Sequence, residues 1–166
     1  MELLIQSQVG EFFYGYGDHN TLQEVTVDLL KESGFTIACA ESLTGGLFAA
    51  SAVAFEGSSS YFQGGTVAYQ REAKETQLGI DSTLLDQYGM VSAECAKAMA
   101  EQARLHYQSD LGISFTGVAG PSEMEGKEVG TIFVALASRT DVEVLELHLA
   151  RNRNDNREFA VQYGWN

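Results

Sequence analysis

Several residue types are scarce in this sequence of 166 residues, and each shortage excludes a class of protein. The two cysteines, Cys39 and Cys95, lie far apart without a CxxC spacing, and the three histidines form no ligand set. Such usage predicts neither a disulfide framework nor a metal site. No apolar run reaches the roughly 18 residues that a membrane span needs, and the N-terminus lacks the pattern of a secretory signal. These absences predict a soluble, cytoplasmic protein.

Positive charge is also scarce, because 10 Lys and Arg stand against 23 Asp and Glu, which gives a net charge of −13. That balance repels phosphate backbones and disfavours binding to nucleic acid. Three of the cations, Arg151, Arg153 and Arg157, are nevertheless close together near the C-terminus. Arg153 and Arg157 are four residues apart, so on a helix they share a face and can clamp a phosphate or carboxylate. A solvated charge cluster is the alternative.

The chain has the length and apolar content, 45%, of one globular domain with a core. Short apolar strands alternate with helical patterns, which is typical of a layered α/β domain whose ligands gather beyond the strand ends. Asn20 is the predicted N-cap of a first helix that ends at Gly34, and Ser92 that of a helix from Ala93 to about Tyr107. Further strands are predicted over 35–40, 65–69, 111–116, 129–138 and 142–149, and the last two can pair as a hairpin through the polar residues 139–141. Further helices are predicted after residue 46, over 72–78 and over 154–163, and the last of them is expected to bury little.

A glycine-bearing turn, ESLTGG at residues 41–46, follows the first predicted strand and opens a helix. Its backbone N–H groups and the positive end of the helix dipole can hold a phosphate or an oxyanion. Alternatively, Ser42 is a nucleophile presented at the edge of the sheet. An ordinary N-cap with turn glycines is the third interpretation, and the turn lacks the lysine and spacing of a P-loop. TGVAGP at residues 116–121 is a second turn that either binds an anion or simply connects two elements.

A nucleophilic Ser42 needs a base, because a serine hydroxyl is almost wholly protonated at neutral pH. Lys74 is the candidate, since burial can lower the pKa of a lysine from about 10.4 towards neutrality. Tyr69 is predicted at the same rim, where its phenol can relay or orient a proton. A solvated helix lysine and a tyrosine in strand packing are the alternatives.

Taken in order and spacing, these motifs resemble the CinA C-terminal domain family of nicotinamide mononucleotide (NMN) deamidases. The resemblance covers roughly residues 22–157 and is far more specific than any single turn. It implies a three-layer α/β/α sandwich with a mixed β-sheet. The matching segments are AESLTGG at 40–46, GSSSYFQGGTVAYQREAK at 57–74, LG at 78–79, GMVSAECAKAMAE at 89–101, and TGVAGP with KEVGT within 116–131.

The resemblance implies an amidohydrolase of pyridine nucleotide (NAD) salvage, which converts NMN and water to nicotinic acid mononucleotide and ammonia without a metal or other cofactor. By analogy, Ser42 attacks the carboxamide carbon, Lys74 is the general base and Tyr69 assists proton transfer. The two turns and the C-terminal arginines would hold the oxyanion and the nucleotide phosphate. The substrate-binding residues expected from this resemblance are Thr44, Gly45, Gly46, Thr116, Gly117, Ala119, Gly120, Arg153 and Arg157.

Two segments depart from the family pattern. SEMEGKEVGT at 122–131 replaces a glycine-rich loop and a KPVGT segment, and its added carboxylates would weaken phosphate binding. NRNDNR at 152–157 keeps both arginines of the family's GDRxxxR pattern but lacks the glycine and the acid before the first. The acidic loop, and an expected end of the chain inside the family's last helix, favour an alternative, a catalytically weak nucleotide-binding or regulatory domain of a competence/damage-inducible CinA protein.

The resemblance also predicts how the chain is organised. Residues 1–18 look like the connector or remnant that follows a molybdopterin-binding-like domain in two-domain CinA proteins, and residues 19–166 are the predicted CinA C-terminal domain. A homo-oligomer is expected, without a membrane partner. The predicted contact patch of this oligomer consists of the aromatic residues Phe12, Phe13, Tyr14 and Tyr16. Packing of these residues against the preceding domain is the alternative.

Overall fold

Five strands form one central sheet in the computed structural model, which describes residues 21–166. Within this range no helix combines the length and the apolar character needed to cross a membrane. The strands are β1 (Ile37–Glu41), β2 (Phe62–Val67), β3 (Leu111–Gly117), β4 (Thr131–Ala137) and β5 (Val142–His148). The helices are α1 (Leu22–Ser33), α2 (Leu47–Ala52), α3 (Arg71–Leu78), α4 (Ser82–Tyr88), α5 (Ala93–Tyr107) and α6 (Arg153–Gly164), with a 3-10 turn at Ser58–Ser60.

The sheet is mixed and has the strand order β2-β1-β3-β4-β5. Strands β2, β1 and β3 run parallel, whereas β4 is antiparallel to β3 and forms the predicted hairpin with β5. Apolar residues of α1, α2 and α6 form a core against one face of the sheet, and those of α5 form a core against the other. The predicted three-layer α/β/α sandwich is therefore confirmed.

Capping explains where α1 and α5 begin. The Thr21 side chain accepts from the backbone N–H of Glu24, and the Glu24 carboxylate accepts from the Thr21 N–H, so the predicted N-cap Asn20 is wrong by one residue. A threonine followed three residues later by glutamate satisfies two N–H groups at once, which fixes the start at Thr21. Gly34 ends α1 in the left-handed conformation, and Ser92 caps α5, as predicted.

The predicted strand over 65–69 is displaced, because β2 occupies Phe62–Val67 and pairs with the whole length of β1. The close approach of the two strands requires glycine at position 65, where an added Cβ would lie 2.3 Å from the Cys39 Sγ. Helix α4 was not predicted from the sequence. Its signal is Asp81, whose side chain accepts from the N–H of Thr83 and caps the helix.

The expectation that the last helix buries little is wrong. Helix α6 places Asn156, Ala160 and Val161 in the interior, and Trp165 directly after it is only 4% exposed. The Trp165 ring stacks on Phe48 of α2 with the ring centroids 4.5 Å apart. Helix α6 is thus held firmly to the sheet, and its first turn faces the loops that follow β1 and β3.

Candidate active site

The predicted catalytic residues meet in a cleft at the carboxyl ends of the parallel strands. Ser42 directly follows β1, Tyr69 follows β2, and Lys74 lies on α3. Ligands of open α/β sheets usually bind at this end, in the crevice that forms where the loops after neighbouring strands lead to opposite sides. The cleft is lined by Ser42, Leu43, Tyr69, Gln70, Lys74, Met90, Val91, Thr116, Gly117, Ala119, Met124 and Arg153.

Ser42 is held in place at the first turn after β1. Its N–H donates to the carbonyl of Phe115 on β3 at 2.9 Å, and the residue is only 8% exposed. Its Oγ lies 3.0 Å from the Lys74 Nζ. In the described part of the chain, Lys74 is the one basic group within hydrogen-bond distance of this side chain.

Lys74 is completely buried, and the solvated-lysine alternative is excluded. Besides Ser42, its Nζ contacts the Ala68 carbonyl at 2.7 Å, and within residues 21–166 no carboxylate forms an ion pair with it. Burial lowers the pKa of the Lys74 ammonium from its ordinary value of 10.5, and nearby Cys95 and Glu125 oppose that shift by less. A neutral Lys74 amine could keep its bond to Ala68 and accept the proton of Ser42.

Tyr69 lies at the mouth of the cleft and is 51% exposed. Its hydroxyl accepts a hydrogen bond from the Arg153 Nη2 at 3.1 Å. The structure thus pairs the phenol with an arginine, and its part in proton transfer stays a prediction.

The two C-terminal arginines have different surroundings. Arg153 lines the cleft, where its guanidinium contacts Tyr69 and the Gly120 carbonyl. Arg157 instead donates through Nε and Nη2 to the carbonyls of Leu43 and Thr44, both at 3.0 Å. Arg153 is therefore the arginine that could meet a ligand, whereas Arg157 is bonded to the turn that carries Ser42.

The predicted donors of the two turns differ in availability. The Gly45 N–H donates to the Ser42 carbonyl, and the Gly46 N–H donates to the Glu41 carboxylate, so both are engaged inside the protein. Thr116 donates its hydroxyl to the Met90 carbonyl at 2.6 Å. Of the predicted substrate-binding set, four residues line the cleft, namely Thr116, Gly117, Ala119 and Arg153. The other members of the set do not line it, namely Thr44, Gly45, Gly46, Gly120 and Arg157.

Sequence reasoning missed two buried polar residues beside the site. Glu41 accepts three backbone N–H bonds at the start of α2, and a carboxylate next to a glycine turn is the signal that could have found it. Asn156 of α6 donates through Nδ2 to the carbonyls of Ala119 and Arg151, at 3.0 and 3.1 Å. No pattern in the sequence separates Asn156 from a surface asparagine.

The acidic loop that departs from the family pattern is folded onto the cleft. A Glu125 carboxylate oxygen accepts from the Val91 N–H at 2.9 Å, and Met124 lines the cleft. Glu125 adopts a positive φ of 52°, next to Gly126 at 69°, in a tight turn closed by Met124 and Lys127. The loop therefore contributes Met124 to the cleft and brings a carboxylate near enough for its charge to raise the pKa of Lys74.

The fold and the site together define a class: a three-layer α/β domain that carries a buried serine–lysine pair at the carboxyl ends of its parallel strands. The family model described as the CinA C-terminal domain matches residues 19–166. The chain belongs to this family.

Relatives and solved structures agree with that membership. A competence-damage inducible protein of Bacillus cytotoxicus is 46% identical over 166 residues, 99% of this chain and 40% of the relative. One of Streptococcus gordonii is 48% identical over 159 residues, 95% of this chain and 38% of the relative. The chain thus spans about 40% of the length of the curated relatives it matches.

Crystal structures of CinA superfamily proteins share the fold. That from Klebsiella pneumoniae superposes with a TM-score of 0.85 at 26% identity, covering 87% of this chain and 91% of its own. That from Enterobacter cloacae gives a TM-score of 0.83 at 30% identity, covering 94% and 95%.

Proposed function

We propose that this domain is an amidohydrolase that converts NMN and water to nicotinic acid mononucleotide and ammonia, with Ser42 as nucleophile and Lys74 as general base. The observation that carries the proposal is the 3.0 Å contact between the Lys74 Nζ and the Ser42 Oγ, with the lysine wholly buried. A nucleophile within hydrogen-bond reach of a base whose pKa is lowered is the arrangement that activates a serine. The family resemblance supplies the substrate.

In the first half-reaction, neutral Lys74 accepts the hydroxyl proton as the Ser42 Oγ attacks the carboxamide carbon. The carbonyl π electrons move to oxygen and give a tetrahedral oxyanion. The oxyanion collapses, the carbon–nitrogen bond breaks, and the Lys74 ammonium returns its proton to the leaving nitrogen. Ammonia departs, and an ester on Ser42 remains.

In the second half-reaction, Lys74 takes a proton from water as the water oxygen attacks the ester carbon. Collapse of the second tetrahedral intermediate breaks the bond to Oγ, and Lys74 returns the proton to Ser42. The product carboxylic acid carries one oxygen from water and releases its remaining proton to solvent to become the carboxylate. Since Lys74 accepts and donates a proton in both half-reactions, the reaction needs a lysine whose pKa lies nearer neutrality than usual.

Arg153 is the residue we assign to the substrate phosphate. Among residues 21–166 it is the one arginine that lines the cleft, and its contacts with Tyr69 and Gly120 hold the guanidinium at the mouth. Guanidinium groups bind phosphate through two parallel N–H bonds. Arg157 does not line the cleft, and its guanidinium donates to the carbonyls of Leu43 and Thr44 in the turn that carries Ser42.

The proposal is tested by incubating the chain with NMN and following ammonia and nicotinic acid mononucleotide together, first without added metal and then with a chelator. Equimolar release of both products, unchanged by the chelator, is the expected result. Calorimetric binding of NMN without turnover by folded protein would instead support the binding or regulatory alternative, which the acidic loop favours.

A further inference from the structure

The Glu41 carboxylate is completely buried, directly before the proposed nucleophile. Among residues 21–166 no lysine, arginine or histidine forms an ion pair with it. A buried carboxylate without an ionic partner is costly unless other groups solvate it. Its surroundings therefore have to supply those groups.

Backbone N–H groups at the start of α2 solvate the Glu41 carboxylate. One oxygen of Glu41 accepts from Gly46 at 2.9 Å and from Phe48 at 3.2 Å, and the other accepts from Ala49 at 2.8 Å. Hydrogen bonds to an ionised acceptor are about twice as strong as neutral ones, and the positive end of a helix favours a negative charge. Both carboxylate oxygens are thus solvated by one helix end.

The turn between Glu41 and α2 has the shape that this contact requires. Gly45 and Gly46 have φ angles of 60° and 97°, a region that favours glycine, and they bring the chain back over the end of β1. Ser42 lies inside the loop that the carboxylate closes. Its backbone is held by the strand on one side and by the Glu41 contact on the other.

We propose that Glu41 is a positioning residue, an internal anion that occupies the start of α2 and fixes the turn carrying Ser42. The same N–H groups are then closed to a substrate phosphate or an oxyanion. This inference rests on Ser42 being the nucleophile, as proposed above. It adds that the rate of the chemical step depends on a carboxylate that does not contact the substrate.

Glu41→Gln tests the inference, because the amide keeps the size of the side chain but loses the charge and turns an NH₂ group towards an N–H donor. We expect kcat for NMN to fall about a hundredfold, a loss that displacing a reacting group by about 1 Å can cause. KM should change by less than about threefold, since substrate contacts are unchanged. Glu56→Gln removes the same charge at an exposed position and should behave as wild type.

Two further measurements keep the test decisive. The rate at which a fluorophosphonate labels Ser42 should fall in Glu41→Gln in parallel with kcat, and this readout remains if NMN is not the substrate. If the glutamine variant does not fold, Glu41→Asp, which keeps the charge on a shorter side chain, should fold and show a smaller loss of both rates. Wild-type labelling and kcat in folded Glu41→Gln, or a rise in KM alone, would overturn the inference.

Discussion

The Arg153 guanidinium donates to the Tyr69 hydroxyl at 3.1 Å and joins α6 to the end of β2 across the mouth of the cleft. Four residues further along α6, Arg157 donates instead to the carbonyls that follow Ser42. Because their partners differ, we propose different roles for the two arginines, substrate binding for Arg153 and positioning of the turn for Arg157.

Arg153→Ala should raise KM for NMN by roughly tenfold to a hundredfold, the range for losing a hydrogen bond to a charged group, with a small change in kcat. Steady-state ammonia release measures both constants. Nicotinamide riboside, which lacks the phosphate, is the control substrate and should show a much smaller effect. An equal loss with both substrates would contradict a phosphate contact.

Arg157→Ala should show the opposite pattern, because it frees two carbonyls of the Ser42 turn without removing a cleft residue. We expect a fall of about tenfold in kcat with KM nearly unchanged, since two charge-assisted bonds at the turn are lost. The same assay with NMN measures both values. A large rise in KM with normal kcat would place Arg157 on the substrate and contradict its positioning role.

The pH dependence follows from the lowered pKa of Lys74. The neutral amine is the active form, so kcat/KM should rise with pH through an inflection below 10.5, the ordinary lysine value.

The free energy of unfolding should also rise with pH, because just below pH 10.5 the unfolded chain holds a proton on Lys74 that the native state has lost. The unfolding free energy of wild type relative to Lys74→Met should therefore increase as pH rises towards 10.5, measured by urea unfolding. A difference that is constant with pH would contradict the shift.

Glu125→Gln should move that inflection to lower pH, because the Glu125 charge raises the pKa of Lys74. The amide oxygen can still accept from the Val91 N–H, so the loop should keep its place. The pH profile of kcat/KM checks this result. Glu123→Gln, in the same exposed loop, is the matched control and should leave the inflection where it is. A shift of equal size in both variants would point to general loop charge.

Trp165→Ala should lower the free energy of unfolding by about 3–5 kcal/mol, the range for truncating a buried aromatic residue. The ring stacks on Phe48, and its Nε1 donates to the Ser51 hydroxyl at 3.0 Å. Thermal or urea unfolding gives the value. Tyr163→Ala, in which a 41% exposed ring is removed, should cost much less. Equal losses would show that α6 is not anchored through Trp165.

The layered fold could be predicted because each element carries a local signal. Serine before an alanine-rich pattern marked the start of α5, and a three-residue polar link marked the β4–β5 hairpin. The register of β2 could not be predicted, because it depends on pairing with β1, which is distant in sequence. The burial around Trp165 likewise depends on a partner in α2 more than 100 residues away.

Some features of the site could likewise be predicted from the sequence, and others could not. Spacing and resemblance selected Ser42 and Lys74, and the structure brings their side chains into contact. The separate surroundings of Arg153 and Arg157 were not predictable, because the spacing of four residues places both on one face of a helix and says nothing about the loops opposite. Glu41 was missed because its donors are mainly backbone N–H groups, which every sequence contains, with the Cys39 thiol at 3.6 Å beside them.

The central claim is that Ser42 carries the reaction, and the rate of ammonia release from NMN by Ser42→Ala tests it most directly. Ser60→Ala is the matched control, since that hydroxyl is exposed and contacts only the Gly57 carbonyl among the described residues. We expect folded Ser42→Ala to lose about a thousandfold or more of kcat, as for loss of a nucleophile, with Ser60→Ala unchanged. Turnover of NMN by Ser42→Ala within tenfold of wild type would contradict the account.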